Sequence, residues 1–147
     1  MTWKDNLIDN PAQIRRLVLQ SRRVAVLGIK TEAQADQPSV YVPHYLLQAG
    51  YEIIPVPVYY PEVSEIFGAR VYRRLVDIPG EVDLVDVFRR PGDINGHVDD
   101  IVAKKPKAVW FQSGIRNDEA AETFARAGIQ VVQDRCLMVE HRMAASR

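Results

Sequence analysis

The chain has 147 residues, of which 47% are apolar and 26% are charged, close to the average of soluble globular domains. Its 19 basic and 19 acidic side chains cancel, so no overall positive field favours nonspecific binding of nucleic acid. The apolar run at 24–29 is far shorter than the roughly 20 residues that a membrane-spanning helix needs. We therefore expect a single domain over residues 1–147, with neither nucleic acid nor a membrane as partner.

Two features bear on the compartment. Residues 1–23 alternate polar and apolar side chains without a continuous apolar centre, so no secretory signal peptide is expected. Cys136 is the single cysteine, which excludes an internal disulfide and is compatible with a reducing environment. The expected localisation is cytoplasmic.

The amino-terminal third of the chain predicts a helix followed by a strand. The helix begins at Pro11, after Asn10 as its N-cap, and carries apolar side chains on one face. It belongs to a helical extension, residues 1–22, that we expect to pack on the domain. The β-branched run at 24–27 then predicts a strand buried on both faces, which ends at Gly28.

The next segments contain prolines that restrict their structure. A second helix is predicted from Ser39, as its N-cap, to Gly50, and Pro43 then falls within its first turn, where a missing N–H costs least. A second strand is predicted over 51–58, but its two prolines cannot donate to a ladder, so its carboxyl-terminal half is expected to leave the sheet. Residues 59–75 lack a regular period and are interpreted as a connection.

The second half of the chain repeats the alternation of apolar strands and amphipathic helices. The predicted elements are strands at 83–88, 107–112 and 129–133, a helix that buries Ile94, Val98, Ile101 and Val102, a helix at 117–128 with Asn117 as N-cap, and a terminal helix at 136–145. Strands separated by helices predict right-handed crossovers. The expected fold is α/β, a Rossmann-like three-layer sandwich with a parallel sheet of about five strands.

Ligands of such sheets bind beyond the carboxyl ends of the strands, near the point where the strand order reverses. Gly28 follows the first strand and, without a Cβ, would let backbone N–H groups approach an anion. A dinucleotide fingerprint needs three glycines in the GxGxxG spacing and an acidic residue after the second strand, and both are missing, which disfavours NAD. The alternative is that Gly28 only makes a tight turn.

Basic side chains follow two of the strands. Arg89 and Arg90 come directly after the strand at 83–88, where a guanidinium can pair with phosphate, and one of the two is expected to point away. Alternatively, both are solvated and pair with Asp86 or Asp93. Lys30 lies in the first loop as a flexible positive charge.

Polar residues and one thiol complete the candidates. Gln112, Ser113 and Gly114 offer hydrogen bonds and a close backbone approach after the fourth strand, or else form a plain turn. The three histidines lack metal-site spacing, so no metal is expected. Cys136, near a predicted helix start, is either a reactive thiol or a small buried hydrophobe. Without a nucleophile elbow, a P-loop or paired carboxylates, no catalysis is expected.

The order of five sequence blocks resembles the small stand-alone CoA-binding domain proteins, which share their fold with the nucleotide-binding domain of succinyl-CoA synthetase α subunits. The resemblance covers most of the chain. The blocks are VAVLGI (24–29), PSVYVPHYLLQAGYEIIPV (38–56), FGARVYRRLVDIPGEVDLVDVFRRP (67–91), VWFQSGIRNDEAA (109–121) and AGIQVVQDRCLMVEH (127–141). The resemblance implies that CoA or acyl-CoA binds across the carboxyl ends of the parallel strands.

The same resemblance implies a set of cofactor-binding residues. They are Gly28, Ile29, Lys30 and Thr31 in the first loop, Ser39 near the diphosphate, Val56 and Pro57 after the second strand, Phe88, Arg89 and Arg90 after the third, and Gln112, Ser113 and Gly114 near the thiol end. The synthetase subunits carry their phosphorylated histidine on a second domain, for which 147 residues leave no room. The expected function is therefore non-catalytic binding of CoA or acyl-CoA, as a sensor, carrier or regulatory module.

Two alternatives stay open at this point. In the first, Cys136 exchanges with the CoA thiol or acts on an acyl thioester. In the second, the chain is a nucleotide-responsive interaction module, in which the amino-terminal helix together with Tyr59 and Tyr60 docks a protein partner or a second copy of the chain.

Overall fold

A computed structural model describes residues 2–146 of the protein, which form one parallel sheet with helices on both faces. The helices are α1 (Pro11–Gln20), α2 (Pro38–Gln48), α3 (Val98–Lys104), α4 (Asp118–Arg126) and α5 (Leu137–Ala145); the strands are β1 (Arg23–Leu27), β2 (Glu52–Val56), β3 (Glu65–Ile66), β4 (Ala69–Arg70), β5 (Leu84–Val87), β6 (Ala108–Phe111) and β7 (Gln130–Val132). The predicted α/β fold with a five-stranded parallel sheet is confirmed. Among residues 2–146, no helix has the length and apolar content to cross a bilayer.

The strand order of the main sheet is β2-β1-β5-β6-β7, so the order reverses between β1 and β5. The crossover from β1 to β2 places α2 on one face, together with α1 and α5, whereas α3 and α4 cover the other face. In doubly wound sheets such a reversal opens a crevice at the carboxyl ends of the two strands. The topology therefore predicts a ligand site at the carboxyl ends of β1 and β5.

Each strand of the main sheet has buried side chains on both faces, as its apolar composition requires. Ala25 of β1 and Val85 of β5 face α3 and α4, whereas Val26 and Trp110 face α1, α2 and α5. Because side chains alternate along a strand, a continuous apolar run fills two cores at once. This packing holds the carboxyl edge of the sheet in a defined geometry.

The segment before β1 packs against the sheet and against α5. The side chain of Asn10 accepts hydrogen bonds from the backbone N–H groups of residues 12 and 13, at 2.9 and 3.2 Å, which confirms the predicted N-cap. Ile14 and Val18 of α1 are buried in the core. Before the helix, the N–H of Ile8 donates to the carbonyl of Val131 at 2.8 Å, which extends the sheet beyond β7.

The predicted start of α2 at Ser39 is wrong. The helix begins at Pro38 with Gln37 as its N-cap, because the fixed φ of proline suits the first helical position, and Pro43 then lies inside the helix. Without an N–H at Pro43, the carbonyl of Ser39 loses its helical partner. The backbone N–H of Lys30 donates to this carbonyl instead, at 3.5 Å, and so links the first loop to α2.

The expectation that the strand after α2 leaves the sheet at its prolines is only partly right. Pro55 stays in β2, in register with Val26, and the strand ends at Val56. Because β2 is an edge strand, Pro55 has an outer side, where its carbonyl accepts the N–H of Tyr72 at 3.0 Å. The N–H and carbonyl of one strand residue point to the same side, so the missing donor costs the inner ladder nothing.

The segment interpreted as a connection, residues 59–75, contains a small antiparallel hairpin of β3 and β4. Phe67 and Gly68 form its turn, with φ of +53° and +74°, the positive values that a two-residue hairpin turn of type I′ requires. Each strand has only two residues, too few to show a period of two in the sequence. The hairpin was therefore missed.

Candidate functional site

A cavity of about 610 Å³ lies at the carboxyl edge of the sheet. It opens where β1, β5, β6 and β7 end, beside the amino ends of α2 and α5. Its lining residues are Lys30, Gln37, Pro38, Ser39, Tyr41, Phe88, Arg89, Arg90, Pro91, Gln112, Ser113, Gly114, Ile115, Cys136, Met138 and Val139. This is the edge at which the strand pattern predicted a ligand.

The lining of this cavity is electropositive although the whole chain has no net charge. Lys30, Arg89 and Arg90 contribute three cations, and no carboxylate of residues 2–146 is part of the lining. A concave site with charges of one sign focuses its field on the space inside. The arrangement therefore selects an anionic ligand.

Arg89 is the basic residue that is held in place. Its side chain is 15% exposed, its guanidinium lies 5.7 Å from the ring centre of Tyr59, and Nη1 is 3.4 Å from the Tyr59 hydroxyl. This hydrogen bond lowers the pKa of Tyr59. The contact with Asp93, at 3.8 Å, is too long for a hydrogen bond. The buried Nε–H has no acceptor within residues 2–146, so Arg89 keeps a donor for a ligand.

Arg90 is the arginine that points away. Its side chain is 86% exposed and lies 3.5 Å from the carboxylate of Asp93. The alternative that the two arginines pair with acidic neighbours thus applies to Asp93, whereas Asp86 is fully buried in the core and makes no ion pair within residues 2–146. Arg90 therefore contributes its positive charge to the cavity without being held in a fixed position there.

The amino end of α2 contributes the hydroxyl of Ser39 to the cavity. Ser39 is 6% exposed, and its hydroxyl makes no hydrogen bond in the part of the chain that the structure describes. The helix has no side-chain cap, because the amide oxygen of Gln37 accepts a hydrogen bond from the ammonium of Lys30 instead. Pro38 has no N–H, and the N–H groups of Val40 and Tyr41 donate to the carbonyl of Gln37. The positive end of the helix dipole is what favours an anion here.

The far side of the cavity, beyond β6 and β7, is held together by hydrogen bonds. The side-chain oxygen of Gln112 accepts the backbone N–H of Leu137 at 3.1 Å. The N–H of Gly114 donates to a carboxylate oxygen of Asp134 at 2.7 Å, and Gly114 has a φ of +84°. These bonds join the loop after β6 to the segment that leads into α5, where Cys136 is the N-cap residue.

The structure brings most of the predicted cofactor-binding residues together at this cavity. These are Lys30, Ser39, Phe88, Arg89, Arg90, Gln112, Ser113 and Gly114. The others do not line it. Ile29 and Val56 are buried in the core, Pro57 is buried as well, and the hydroxyl of Thr31 bonds the side chain of Gln34 at 2.6 Å.

Gly28 also stays outside the lining, for a reason of backbone geometry. Its N–H donates to the carbonyl of Val56 at 2.9 Å, and it is therefore not free for an anion. A Cβ at this position would lie 2.4 Å from the carbonyl oxygen of Phe88. The structure thus shows the tight-turn role of Gly28, which brings the end of β1 close to the end of β5.

Several lining residues were not predicted as part of the binding site. Gln37 and Tyr41 belong to the start of α2, and Met138 and Val139 belong to the first turn of α5. A helix that packs beside the carboxyl edge brings its first turn to the ligand, so a correct helix start would have pointed to them. Cys136, considered separately as a reactive thiol, lines the same cavity.

One histidine lies near the cationic side of the site. Burial and the neighbouring charge of Arg89 lower the pKa of His97. Within residues 2–146, no three side chains of the metal-binding types come together as a metal site would need. No histidine lines the cavity within residues 2–146. The positive charge of the lining comes from Lys30, Arg89 and Arg90 and does not require a protonated histidine.

Comparison with known proteins agrees with this fold. The chain is 33% identical to the uncharacterized protein YneT of Bacillus subtilis (strain 168) over 136 residues, 91% of this chain and 97% of that protein. The solved structure of cell-free ID.343 from Thermus thermophilus is 39% identical, with a TM-score of 0.84 over 92% of this chain and 99% of that one. A hypothetical protein from Pyrococcus horikoshii OT3 is 31% identical, with a TM-score of 0.82 over 93% of both chains.

The match that carries a function is to a family. Residues 22–142 match the CoA binding domain, a span that begins just before β1 and ends within α5. It contains the whole sheet and every residue of the cavity lining. The chain belongs to the CoA binding domain family.

Proposed function

We propose that the protein binds CoA or acyl-CoA in the cavity at the carboxyl edge, without catalysing a reaction, and acts as a sensor, carrier or regulatory module. The observation that carries this proposal is the electropositive lining, on which the buried Nε–H of Arg89 has no acceptor within residues 2–146. The Nε–H of Arg89 and the hydroxyl of Ser39 lie on one side and suit phosphate oxygens. Gln112 lies on the other side and suits an amide of the pantetheine arm.

The order of these residues along the sheet edge suggests how the ligand lies. Lys30 follows β1, Arg89 follows β5, Gln112 follows β6 and Cys136 follows β7, in the spatial order of the strands. Neighbouring strands are about 4.8 Å apart, so this row spans roughly 14 Å. In the proposed complex the phosphates lie near Lys30 and Arg89, and the thiol end lies near Cys136.

Calorimetric titration with CoA, acetyl-CoA, NAD and ATP under reducing conditions tests this proposal. Loss of a charge-assisted hydrogen bond costs about 1.5–3 kcal/mol, so Arg89→Ala should weaken CoA binding roughly 10- to 100-fold. Arg22→Ala is the matched control, because Arg22 is exposed and lies before β1, at the opposite edge of the sheet. The proposal fails if no CoA species binds, or if the two variants weaken binding equally.

A second candidate function is an enzyme that acts on an acyl thioester, and the position of Cys136 on the cavity lining favours it. The Cys136 thiolate would attack the thioester carbonyl, the acyl group would move to Sγ, and the CoA thiolate would leave and take up a proton. Water would then hydrolyse the new thioester. Assaying acetyl-CoA hydrolysis by the native protein and by Cys136→Ser decides the matter, since turnover that survives the substitution excludes this role.

A further inference from the structure

Cys136 has a fixed place in the cavity. Both of its chain neighbours are bonded to β6 or its end: the carbonyl of Arg135 accepts the indole N–H of Trp110 at 2.8 Å, and the N–H of Leu137 donates to the side chain of Gln112 at 3.1 Å. The thiol is partly buried against the core and lines the cavity. A ligand group that enters this side therefore meets the sulfur in one defined position.

The guanidinium next to the thiol is directed elsewhere. Arg135 pairs with Asp9 at 3.0 Å and with Glu140 at 3.2 Å. It thus neither covers the Cys136 sulfur nor supplies a charge to the lining, which does not include it. The cations of the cavity lie on its other side, at Lys30 and Arg89.

An independent observation indicates a ligand beside the thiol. Gln112 is only 3% exposed, and the bond from Leu137 fixes its side-chain oxygen, so its amide nitrogen faces the remaining space. That nitrogen donates no hydrogen bond within residues 2–146, although Gln112 lines the cavity. That nitrogen is therefore free to donate to an acceptor of a ligand in the cavity. The pantetheine arm of CoA carries amide carbonyls shortly before its terminal sulfur.

From these positions we infer that Cys136 captures oxidised CoA as a mixed disulfide. The inference rests on the proposed CoA site and names a reaction for its thiol end. The Cys136 thiolate attacks one sulfur of a CoA disulfide, an Sγ–S bond forms and the original S–S bond breaks. The displaced CoA leaves as a thiolate and takes up a proton. Cys136 is oxidised and the departing sulfur is reduced, so the disulfide itself supplies the oxidising equivalents.

The cavity should make this exchange selective for the CoA moiety. Binding through Arg89 holds the disulfide next to Sγ and turns a bimolecular encounter into a reaction within a complex. A small uncharged disulfide, such as hydroxyethyl disulfide, gains nothing from the cations. The rate with CoA disulfide should therefore exceed the rate with the small disulfide, and only the former should depend on Arg89.

The experiment incubates the full chain with CoA disulfide in the absence of reductant and follows the intact mass after acid quenching. We expect the addition of one CoA moiety, which dithiothreitol removes and which Cys136→Ser abolishes. Arg89→Ala should slow the addition at least about tenfold, in line with the loss of one charge-assisted bond, and should change the rate with hydroxyethyl disulfide much less. Arg22→Ala should change neither rate.

Two results would overturn the inference. One is the absence of an adduct, and the other is an adduct that forms equally fast from both disulfides and is insensitive to Arg89→Ala, as expected of an exposed thiol. Calorimetry with reduced CoA, on the native protein and on Cys136→Ser, separates this outcome from a failure of the proposed function. If both proteins bind CoA but no selective adduct forms, only the capture reaction is excluded; if neither binds CoA, the proposed function fails as well.

Discussion

Gly28 shows how one residue sets the geometry of the sheet edge. Its φ is +87°, a conformation that L side chains rarely adopt, and a Cβ would meet the carbonyl oxygen of Phe88 at 2.4 Å. Since the Phe88 N–H also bonds the Leu27 carbonyl at 2.9 Å, the two backbones cannot separate without breaking the ladder. The close approach of β1 and β5, and with it the position of Arg89, depends on glycine here.

We therefore expect Gly28→Ala to lower the free energy of unfolding by at least about 1–3 kcal/mol, the cost of a strained backbone conformation, with the steric overlap added to it. Urea unfolding measures this change. Gly96→Ala is the matched control, because Gly96 is exposed, has no positive φ, and a Cβ there meets nothing within 4 Å. Equal losses in the two variants would contradict the role assigned to Gly28.

Asp86 is a buried acid in the centre of β5, between Val26 and Trp110 of the neighbouring strands. Neither carboxyl oxygen has a hydrogen-bond partner within residues 2–146, and burial raises the pKa of Asp86 well above the ordinary value of 3.8. The native state thus holds a proton that the unfolded chain releases at a lower pH. Below the ordinary pKa, Asp86 is protonated in both states and does not oppose folding. As the pH rises toward the raised pKa of the native state, the free energy of unfolding falls, because only the unfolded chain can release the proton.

Asp86→Asn removes this titration with little change in side-chain size. We expect the free energy of unfolding of the native protein, relative to the variant, to fall as the pH rises, by up to about 1.4 kcal/mol per pH unit in the titrating range. Urea unfolding of both proteins from about pH 5 to about pH 9 follows the difference. A difference that stays constant over this range would show that Asp86 does not titrate as its burial implies.

At the scale of elements, Asp83 joins the amino ends of three strands. Its carboxylate accepts the backbone N–H groups of Arg22 and Arg23, both at 2.9 Å, and pairs with the ammonium of Lys107 at 3.2 Å. Burial by itself would raise the pKa of Asp83, but these hydrogen bonds outweigh it and lower the pKa. Asp83 therefore stabilises the fold above its ordinary pKa, and this contribution is lost as the pH falls through the lowered value.

Asp83→Asn should accordingly destabilise the protein at neutral pH, and the difference from the native protein should shrink as the pH falls below the ordinary value of 3.8. The measurement is urea unfolding at a series of acidic pH values. Asp36→Asn serves as a control, because Asp36 is exposed and makes no side-chain hydrogen bond within residues 2–146. A loss of stability with Asp83→Asn that persists undiminished in acid would contradict the assignment to the charged form.

At the scale of the whole molecule, charge is distributed unevenly although its sum is zero. Among the residues that the structure describes, three cations and no carboxylate line the cavity, so attraction of a polyanion is a local effect. Because salt screens such attraction, with a Debye length of about 10 Å at 0.1 M, the Kd for CoA should rise several-fold between low and high salt. Calorimetry in a sodium chloride series should also give a shallower dependence for Arg89→Ala; a Kd independent of salt would contradict electrostatic recognition.

The sequence by itself determined the fold class, two of the helix caps and most strands of the main sheet. Asn10 and Asn117 were recognised as N-caps, and both side chains accept the expected backbone N–H groups, because a cap involves only residues within one helical turn. The apolar runs of β1, β5, β6 and β7 were visible because strands buried on both faces need continuous apolar composition. Because these strands are parallel, the residues that follow them, such as Arg89 and Gln112, lie at one edge of the sheet and line the cavity.

Only the tertiary structure decided which of the candidates share one space. Cys136 follows Lys30 by more than a hundred residues, and the strand order brings both to the same cavity. Contacts of this kind join residues far apart in the chain, and no local period, cap or turn signal records them. For that reason the positive lining, the unpaired donor of Gln112 and the fixed thiol became visible only in the folded chain.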